Sequence, residues 1–113
     1  MARVNELLRE VVAEELERIS VADERLSMLT VTAVHVDPDL RRGKVLLSSM
    51  PAGAEQALEQ HRTRIQAAIN RQARLKRTPQ LSFSTDPAVE IGMRVEDILR
   101  DLRTGEGGAD AGG

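Results

Sequence analysis

The order in which helical and strand-like apolar spacings follow one another is the strongest constraint on the fold of this chain. From Arg3 to Ile19, apolar residues recur every three or four positions with glutamates opposite them, which predicts an amphipathic helix. Leu29 to Val36 is rich in β-branched residues, and Lys44 to Ser49 also has strand character. Because the link between them is short, we expect an antiparallel hairpin.

The hairpin connection, residues 37–43, combines turn residues with two carboxylates. Pro38 fixes its own φ, and Gly43 can supply a positive φ. Asp37 and Asp39 are two positions apart, but a metal site needs more ligands than this pair, and aspartate beside proline is ordinary turn chemistry. We therefore interpret both carboxylates as part of the turn.

The next segment, from Ala54 to about Lys76, returns to helical spacing. A helix of this length is unusual in so small a domain, and the apolar spacing fades between Gln60 and Arg64. We therefore predict a bend or break there, dividing the segment into two helices. Thr78 precedes a proline, which disfavours the α conformation and ends the segment.

The last part of the chain predicts one more strand and one more helix. Leu81 to Ser84 alternates as a short strand, and Val89 to Leu102 has helical spacing. Residues 104–113 are rich in glycine and have nothing to bury, so we predict that they are disordered. The order α-β-β-α-α-β, with a short C-terminal helix, is typical of an α+β KH-like domain of the second type, with three helices on one face of a three-stranded sheet. The predicted domain spans residues 1–103.

Length and composition limit what else the chain can be. With 113 residues, 41% of them hydrophobic, it suits a single core. The absence of cysteine excludes disulfides and thiolate metal sites. We find no signal peptide pattern at the N-terminus and no apolar stretch long enough to span a membrane, so we expect a cytoplasmic protein.

The charges are segregated along the chain. Between Arg41 and Arg77 nine basic residues stand against two acidic ones, a net charge of +7, whereas residues 1–40 carry −5 and residues 78–113 carry −4. A basic segment of this kind attracts phosphate backbones, and acidic flanks limit how widely it binds. The candidate RNA-binding residues are Arg41, Arg42, Lys44, Arg62, Arg64, Arg71, Arg74, Lys76 and Arg77.

Other kinds of site lack support in the sequence. Phe83 is the only aromatic residue, so the chain cannot stack bases on exposed aromatic rings and must contact backbones and base edges instead. His35 and His61 are far apart in sequence, and neither accompanies a nucleophile motif or a phosphate-binding glycine loop. We therefore expect no enzymatic activity, no cofactor and no metal.

Four separate blocks of the sequence resemble bacterial ribosome-binding factor A. They are residues 3–10, RVNELLRE, residues 30–41, TVTAVHVDPDLR, residues 74–83, RLKRTPQLSF, and residues 90–99, EIGMRVEDIL. The resemblance spans nearly the whole of residues 3–102, in order and without large gaps.

This resemblance implies a cytoplasmic assembly factor of the small (30S) ribosomal subunit. Such a factor binds 16S rRNA precursor near its 5′ end and the decoding region during late maturation, with a role in cold adaptation. It implies a monomer with no catalytic activity, released from the particle with the help of a ribosome-associated GTPase. Family members join two helices by an Ala-x-Gly kink, for which this chain has His61-Arg62-Thr63.

Two other classes of function remain open from the residues alone. A protein adaptor would use the acidic first helix and the apolar C-terminal segment, and its binding would depend weakly on salt. A general DNA-binding KH-like domain would bind duplex DNA and rRNA equally well.

Overall fold

Residues 2–112 are described by a computed structural model, apart from the side chains of residues 90, 93 and 104–112. The elements in chain order are α1 (Ala2–Ser20), a short 3-10 turn (Glu24–Leu26), β1 (Val31–Val36), β2 (Arg42–Leu47), α2 (Ala54–Ala73), β3 (Gln80–Thr85) and α3 (Pro87–Gly112). Each strand lies within three residues of its predicted position.

The three strands form one sheet in the order β1-β2-β3. β1 and β2 are antiparallel, with Val36 opposite Gly43, so the predicted hairpin is confirmed. β2 and β3 are parallel, with Arg42 opposite Gln80 and Leu47 opposite Thr85. A parallel pair needs a crossover connection, and α2 supplies it.

The core lies between one face of the sheet and the two helices α1 and α2. It is aliphatic, and its fully buried side chains include Leu8 and Val12 of α1, Ile65 and Ile69 of α2, and Val45 of β2. The opposite face of the sheet is open to solvent at alternate positions, as the two-residue period of a strand requires. The predicted α+β, KH-like fold class is confirmed.

The second helical segment differs from its prediction because α2 is one continuous helix from Ala54 to Ala73. The predicted break between Gln60 and Arg64 was wrong. His61 occupies the place in the apolar stripe between Leu58 and Ile65, and it is only partly exposed. Its Nε2 lies 3.0 Å from Oδ2 of Asp23, so a polar contact holds α2 where the sequence lacks an apolar residue.

The hairpin turn also differs in one detail. The positive φ of the connection belongs to Leu40, at 62°, and not to Gly43. Gly43 is part of β2, where a Cβ atom would lie 3.3 Å from Cδ2 of Leu81 on the neighbouring strand. Glycine at position 43 thus allows close packing between the strands, and a larger residue would have to displace the end of the Leu81 side chain, while the turn bends at Leu40.

The last helix begins at an aspartate that links it to the sheet. Asp86 accepts a hydrogen bond of 2.8 Å from the backbone N–H of Ala88 and one of 2.6 Å from Oγ1 of Thr32. The hydrogen bond from the Thr32 hydroxyl and, to a smaller extent, that from the Ala88 amide hold the pKa of Asp86 below its usual value.

The backbone of α3 is helical as far as Gly112, whereas the sequence predicts a disordered tail over 104–113. The side chains of that tail lie outside the described residues, and its disorder stays a prediction.

A polar cluster joins the 3-10 turn to α2. The Arg25 guanidinium donates to both carboxylate oxygens of Asp23, at 2.8 and 2.6 Å, and reaches Oε1 of Gln60 at 2.6 Å. The pKa of Asp23 lies well below its usual value, mainly because Arg25 donates hydrogen bonds to the carboxylate and further because His61 contacts it. The carboxylate thus connects the turn to the middle of the helix.

No helix in the described part of the chain has the length and apolar character needed to cross a membrane.

Asp23→Asn tests this cluster through the pH dependence of stability. A carboxyl whose pKa is lower in the folded state stabilises the fold above its unfolded pKa, about 4. That contribution is lost as the pH falls through the folded pKa. We therefore expect the variant to be less stable than the unmodified chain at pH 7, and the difference to shrink below about pH 4. Urea unfolding at a series of pH values measures it. Asp101→Asn controls for the change in net charge, and a difference independent of pH would contradict the assignment.

Candidate nucleic-acid interface

Two basic segments that are far apart in sequence meet at one end of the sheet. β2 begins at Arg42 and β3 at Gln80, and these residues are partners in the parallel register. The backbone N–H of Gln80 donates to the carbonyl oxygen of Arg41 at 2.9 Å. The hairpin turn and the loop after α2, which carries Lys76 and Arg77, therefore lie side by side. We call this surface the basic end, formed by Arg41, Arg42, Arg74, Lys76 and Arg77.

Local geometry explains how the basic end is presented. α2 stops at Ala73, and Arg74 caps it in the left-handed conformation, with φ 48°. This turns the chain away from the helix axis, and Pro79 is buried before β3 begins. The predicted helix end near Lys76 was therefore three residues too late. Because of the early end, Lys76 and Arg77 lie in a loop and are exposed.

The open face of the sheet extends the positive charge beyond the basic end. Lys44 is exposed at the centre of β2, opposite His35 on β1 and Ser82 on β3. Its neighbours Gly43 and Val45 are buried on the core side. Alternation along the strand thus directs Arg42 and Lys44 toward the same solvent face.

The edge of β3 forms a hollow into which basic residues of two elements reach. It is lined by Arg42 of β2, Arg62 of α2, and Gln80, Leu81 and Ser82 of β3. Nη2 of Arg62 also lies 3.3 Å from Oε1 of Glu59, one turn earlier on the helix. The hollow therefore combines two guanidinium groups with a serine hydroxyl and an amide, which suits a phosphate and sugar backbone.

Two of the nine predicted residues have a different environment. Glu15 of α1 has a side chain that is only 3% exposed, and Nε of Arg64 lies 3.1 Å from its Oε2. Arg71 approaches Oε1 of the same carboxylate at 3.7 Å, and Arg18 approaches it at 3.5 Å. A buried carboxylate is costly unless it is paired. Arg64 and Arg71 thus hold α2 against α1, which accounts for part of the arginine excess on this helix.

Sequence reasoning missed Glu15, although a signal was present. Glu15 follows Val12 by three residues and precedes Ile19 by four, so it lies on the apolar stripe of α1 and not on its solvent face. An acid on a buried stripe indicates a cationic partner from another element. The partner itself could not be read from the sequence.

The remaining predicted residues are distributed as follows. Arg41 lies 3.6 Å from a carboxylate oxygen of Asp39 in its own turn, and both side chains are exposed. Within the described residues, five of the predicted cations make no ion pair, namely Arg42, Lys44, Arg74, Lys76 and Arg77. The same part of the chain holds no cluster of three or more potential metal ligands. The cations without an ion pair therefore lie at the basic end and on the open face.

The fold and this surface together define a KH-like domain of the RNA-binding class. The sequence profile of a family described as ribosome-binding factor A matches residues 1–99. A ribosome-binding factor A of Rubrobacter xylanophilus is 40% identical over 111 residues, covering 94% of this chain and 88% of that protein. One of Syntrophobacter fumaroxidans is 32% identical over 111 residues, covering 92% and 94%. The chain belongs to the ribosome-binding factor A family.

Solved structures agree with this assignment. The crystal structure of ribosome-binding factor A from Thermus thermophilus is 32% identical, with a TM-score of 0.68, covering 74% of this chain and 93% of that one. A homology model of the Thermus thermophilus factor, fitted into a cryo-EM map of its complex with the 30S subunit, is 34% identical. Its TM-score is 0.59, and it covers 72% of this chain and 89% of that one. The sequence-based family assignment is confirmed.

Glu15→Gln tests whether Arg64 and Arg71 serve the helix pair. The variant leaves a buried amide facing guanidinium groups, so we expect it to lower the free energy of unfolding by about 1–3 kcal/mol. Glu14→Gln is the matched control, because the Glu14 side chain is 58% exposed and its loss should cost less than about 0.5 kcal/mol. Urea unfolding followed by circular dichroism measures both, and equal effects would show that the Glu15 contacts do not stabilise the fold.

Proposed function

We propose that this protein is a non-catalytic assembly factor of the small ribosomal subunit, which binds free 30S particles and 16S rRNA precursor through its basic end and open sheet face. One observation supports this proposal more strongly than the others. The parallel start of β2 and β3 joins the arginines of the hairpin turn to Lys76 and Arg77, although more than 30 residues separate them in sequence. The family membership indicates which polyanion this surface meets.

The mechanism is binding, with no bond made or broken. Arg42, Lys44 and Arg77 would contact phosphates and release the counterions condensed on the RNA. Because the open face presents lysine, histidine and serine and no Phe, Tyr or Trp side chain, it would follow mainly the backbone and base edges, and the imidazole of His35 is the ring that it offers for stacking. Arg62 would contribute from α2 at the β3 edge, where the family has its kink motif and this chain has a continuous helix.

The exposed acidic residues of α1 restrict which side of the protein can face RNA. Glu6 at the start of α1 lies near His35 of β1, whereas Glu10 and Glu14 are exposed on α1, on the helical side of the domain. Like charge keeps RNA from that side of the domain. The protein would therefore meet the ribosomal particle in one orientation, with the basic end and open face toward rRNA and α1 toward solvent.

The finer parts of the proposal rest on the family. The fitted relative, by its description, forms a complex with the 30S subunit. We propose that this protein does so as one copy in the cytoplasm, near the 16S rRNA 5′ end and the decoding region. It would promote late maturation, including processing of the 5′ end, and a ribosome-associated GTPase would assist its release. Accumulation of 16S rRNA with an unprocessed 5′ end in cells that lack the protein, strongest in the cold, is the expected phenotype.

Neutralising the basic end should weaken binding in a salt-dependent way. We expect Arg42→Gln combined with Arg77→Gln to reduce the affinity for purified 30S subunits. The slope of log affinity against log salt concentration should become shallower by roughly 1.4–1.8 units, since each of the two lost phosphate contacts removes about 0.7–0.9. Cosedimentation with 30S subunits over a range of KCl concentrations measures this. Arg100→Gln is the matched control, because Arg100 is exposed on α3 and lies 3.6 Å from Asp97.

Three outcomes would contradict the proposal. Unchanged binding by the double variant would remove the basic end from the interface. Competition by duplex DNA as effective as that by 16S rRNA would favour a general nucleic-acid-binding domain. Tight association with a protein that is insensitive to salt, without cosedimentation with 30S subunits, would favour the adaptor.

A further inference from the structure

The open face of the sheet carries a row of exposed side chains that crosses all three strands. His35 of β1 lies opposite Lys44 of β2, and Lys44 lies opposite Ser82 of β3. Within the described residues, none of these three side chains makes a hydrogen bond or an ion pair. A ring, a cation and a hydroxyl therefore lie side by side, and none of them is committed to a contact that holds the fold.

His35 supplies the ring of this row. The chain has three aromatic rings, at Phe83, His61 and His35, and all of them belong to the described residues. Phe83 is partly buried against the core, and His61 contacts Asp23 on the helical side of the domain. His35 is thus the ring that the open face presents, and imidazole is among the side-chain rings on which unpaired RNA bases stack.

Open space adjoins His35 on the outer side of β1. A hollow of about 260 Å³ lies there, lined by His35 and Ala33 from β1 and by Glu6 and Arg9 from α1. Those two charged residues pair with each other, so they add no unpaired charge to the hollow. A base stacked on the imidazole therefore has room beside the strand.

The cations of β2 place the phosphates of the same RNA strand. Arg42 lies two residues before Lys44 on the same solvent face, which separates their Cα atoms by about 6.7 Å. This distance is close to that between successive phosphates of an extended RNA strand. Beyond the row the basic track ends, because Leu46 is buried and the carboxylate of Asp86 follows, bound to Thr32. The strand therefore reaches the row from the basic end.

We propose that the open face holds a subsite for single-stranded RNA, in which one base stacks on His35 and the neighbouring phosphates contact Arg42 and Lys44. The Ser82 hydroxyl, which both donates and accepts, contacts the base edge or the ribose 2′-hydroxyl on the other side of Lys44. A duplex cannot use the subsite, because its bases are stacked on one another. The subsite rests on the proposed function, and it narrows the ligand of the open face to an unpaired segment of rRNA.

Fluorescence anisotropy with short labelled RNAs tests the subsite in the full chain. We expect His35→Ala to weaken the binding of a single-stranded RNA of mixed sequence by roughly 5- to 100-fold, the loss caused by removing one base stack. His35→Phe should keep the binding, because it retains a ring. The same RNA made without bases, or annealed to its complement, should bind the unmodified chain and His35→Ala equally. Urea unfolding of each variant checks that the exposed substitution leaves the fold intact.

Salt dependence separates the ring from the cations. In mildly alkaline buffer, where an imidazole side chain carries no charge, His35→Ala should lower the affinity without changing the slope of log affinity against log salt concentration. Lys44→Gln should make the slope shallower by about 0.7, the contribution of one phosphate contact on a single strand. A shallower slope for His35→Ala would assign His35 to a phosphate instead of a base and overturn the stacking role.

Three other results would overturn the subsite. They are unchanged single-strand binding by His35→Ala, binding by His35→Phe that is as weak as that by His35→Ala, and an equal loss with the base-free RNA. Cosedimentation with 30S subunits keeps the proposed function separate. If the subsite alone is wrong, the unmodified chain still cosediments with 30S subunits, and the combined Arg42→Gln and Arg77→Gln variant still loses affinity for them. If the unmodified chain does not cosediment, the proposed function itself is contradicted, and with it the assignment of the subsite to rRNA.

Discussion

The parallel pairing of β2 with β3 is the constraint on which the rest of the structure depends. Parallel neighbours must be joined by a crossover, and here the crossover is α2, whose apolar face then has to be buried against the sheet and α1. The same pairing places the starts of both strands at one sheet end. The core and the basic end are therefore two consequences of one topological choice, and a change that displaced β3 would damage both.

Within this frame, arginines have two separate tasks. Arg64 and Arg71 neutralise the buried carboxylate of Glu15 and so fix α2 on α1, whereas Arg42 and Arg77 face solvent at the basic end. The net charge of the segment does not show which arginines have which role, because each guanidinium adds one positive charge whether it lies beside a buried acid or in water. The ion pair with the buried acid distinguishes the two sets, because the side chains of Arg64 and Arg71 are themselves 52% and 63% exposed.

The polar contacts at His61 show how a departure from a family pattern is accommodated. The Ala-x-Gly kink that the resemblance implies is replaced by His61-Arg62-Thr63, and the helix passes through this region without a break, with His61 held by Asp23 and Arg25 bound to Gln60. α3 presents the opposite situation. Its apolar side chains, among them Ile91, Ile98 and Leu102, are about half exposed and have no partner in the described part of the chain.

Sequence alone determined the three strands and their order, the first helix, the hairpin and the basic segment, because periodicity, turn residues and local charge are properties of neighbouring residues. The resemblance of four sequence blocks identified the family. Helix continuity at His61 was mispredicted because its partner Asp23 is 38 residues away. Only the tertiary structure decided that Arg41 and Arg42 lie beside Lys76 and Arg77, that Arg64 and Arg71 face Glu15, and that Leu40 carries the positive φ. The reason is the same for the first two cases. Strand pairing and helix packing join residues by contacts between elements, and no local pattern records which elements will meet.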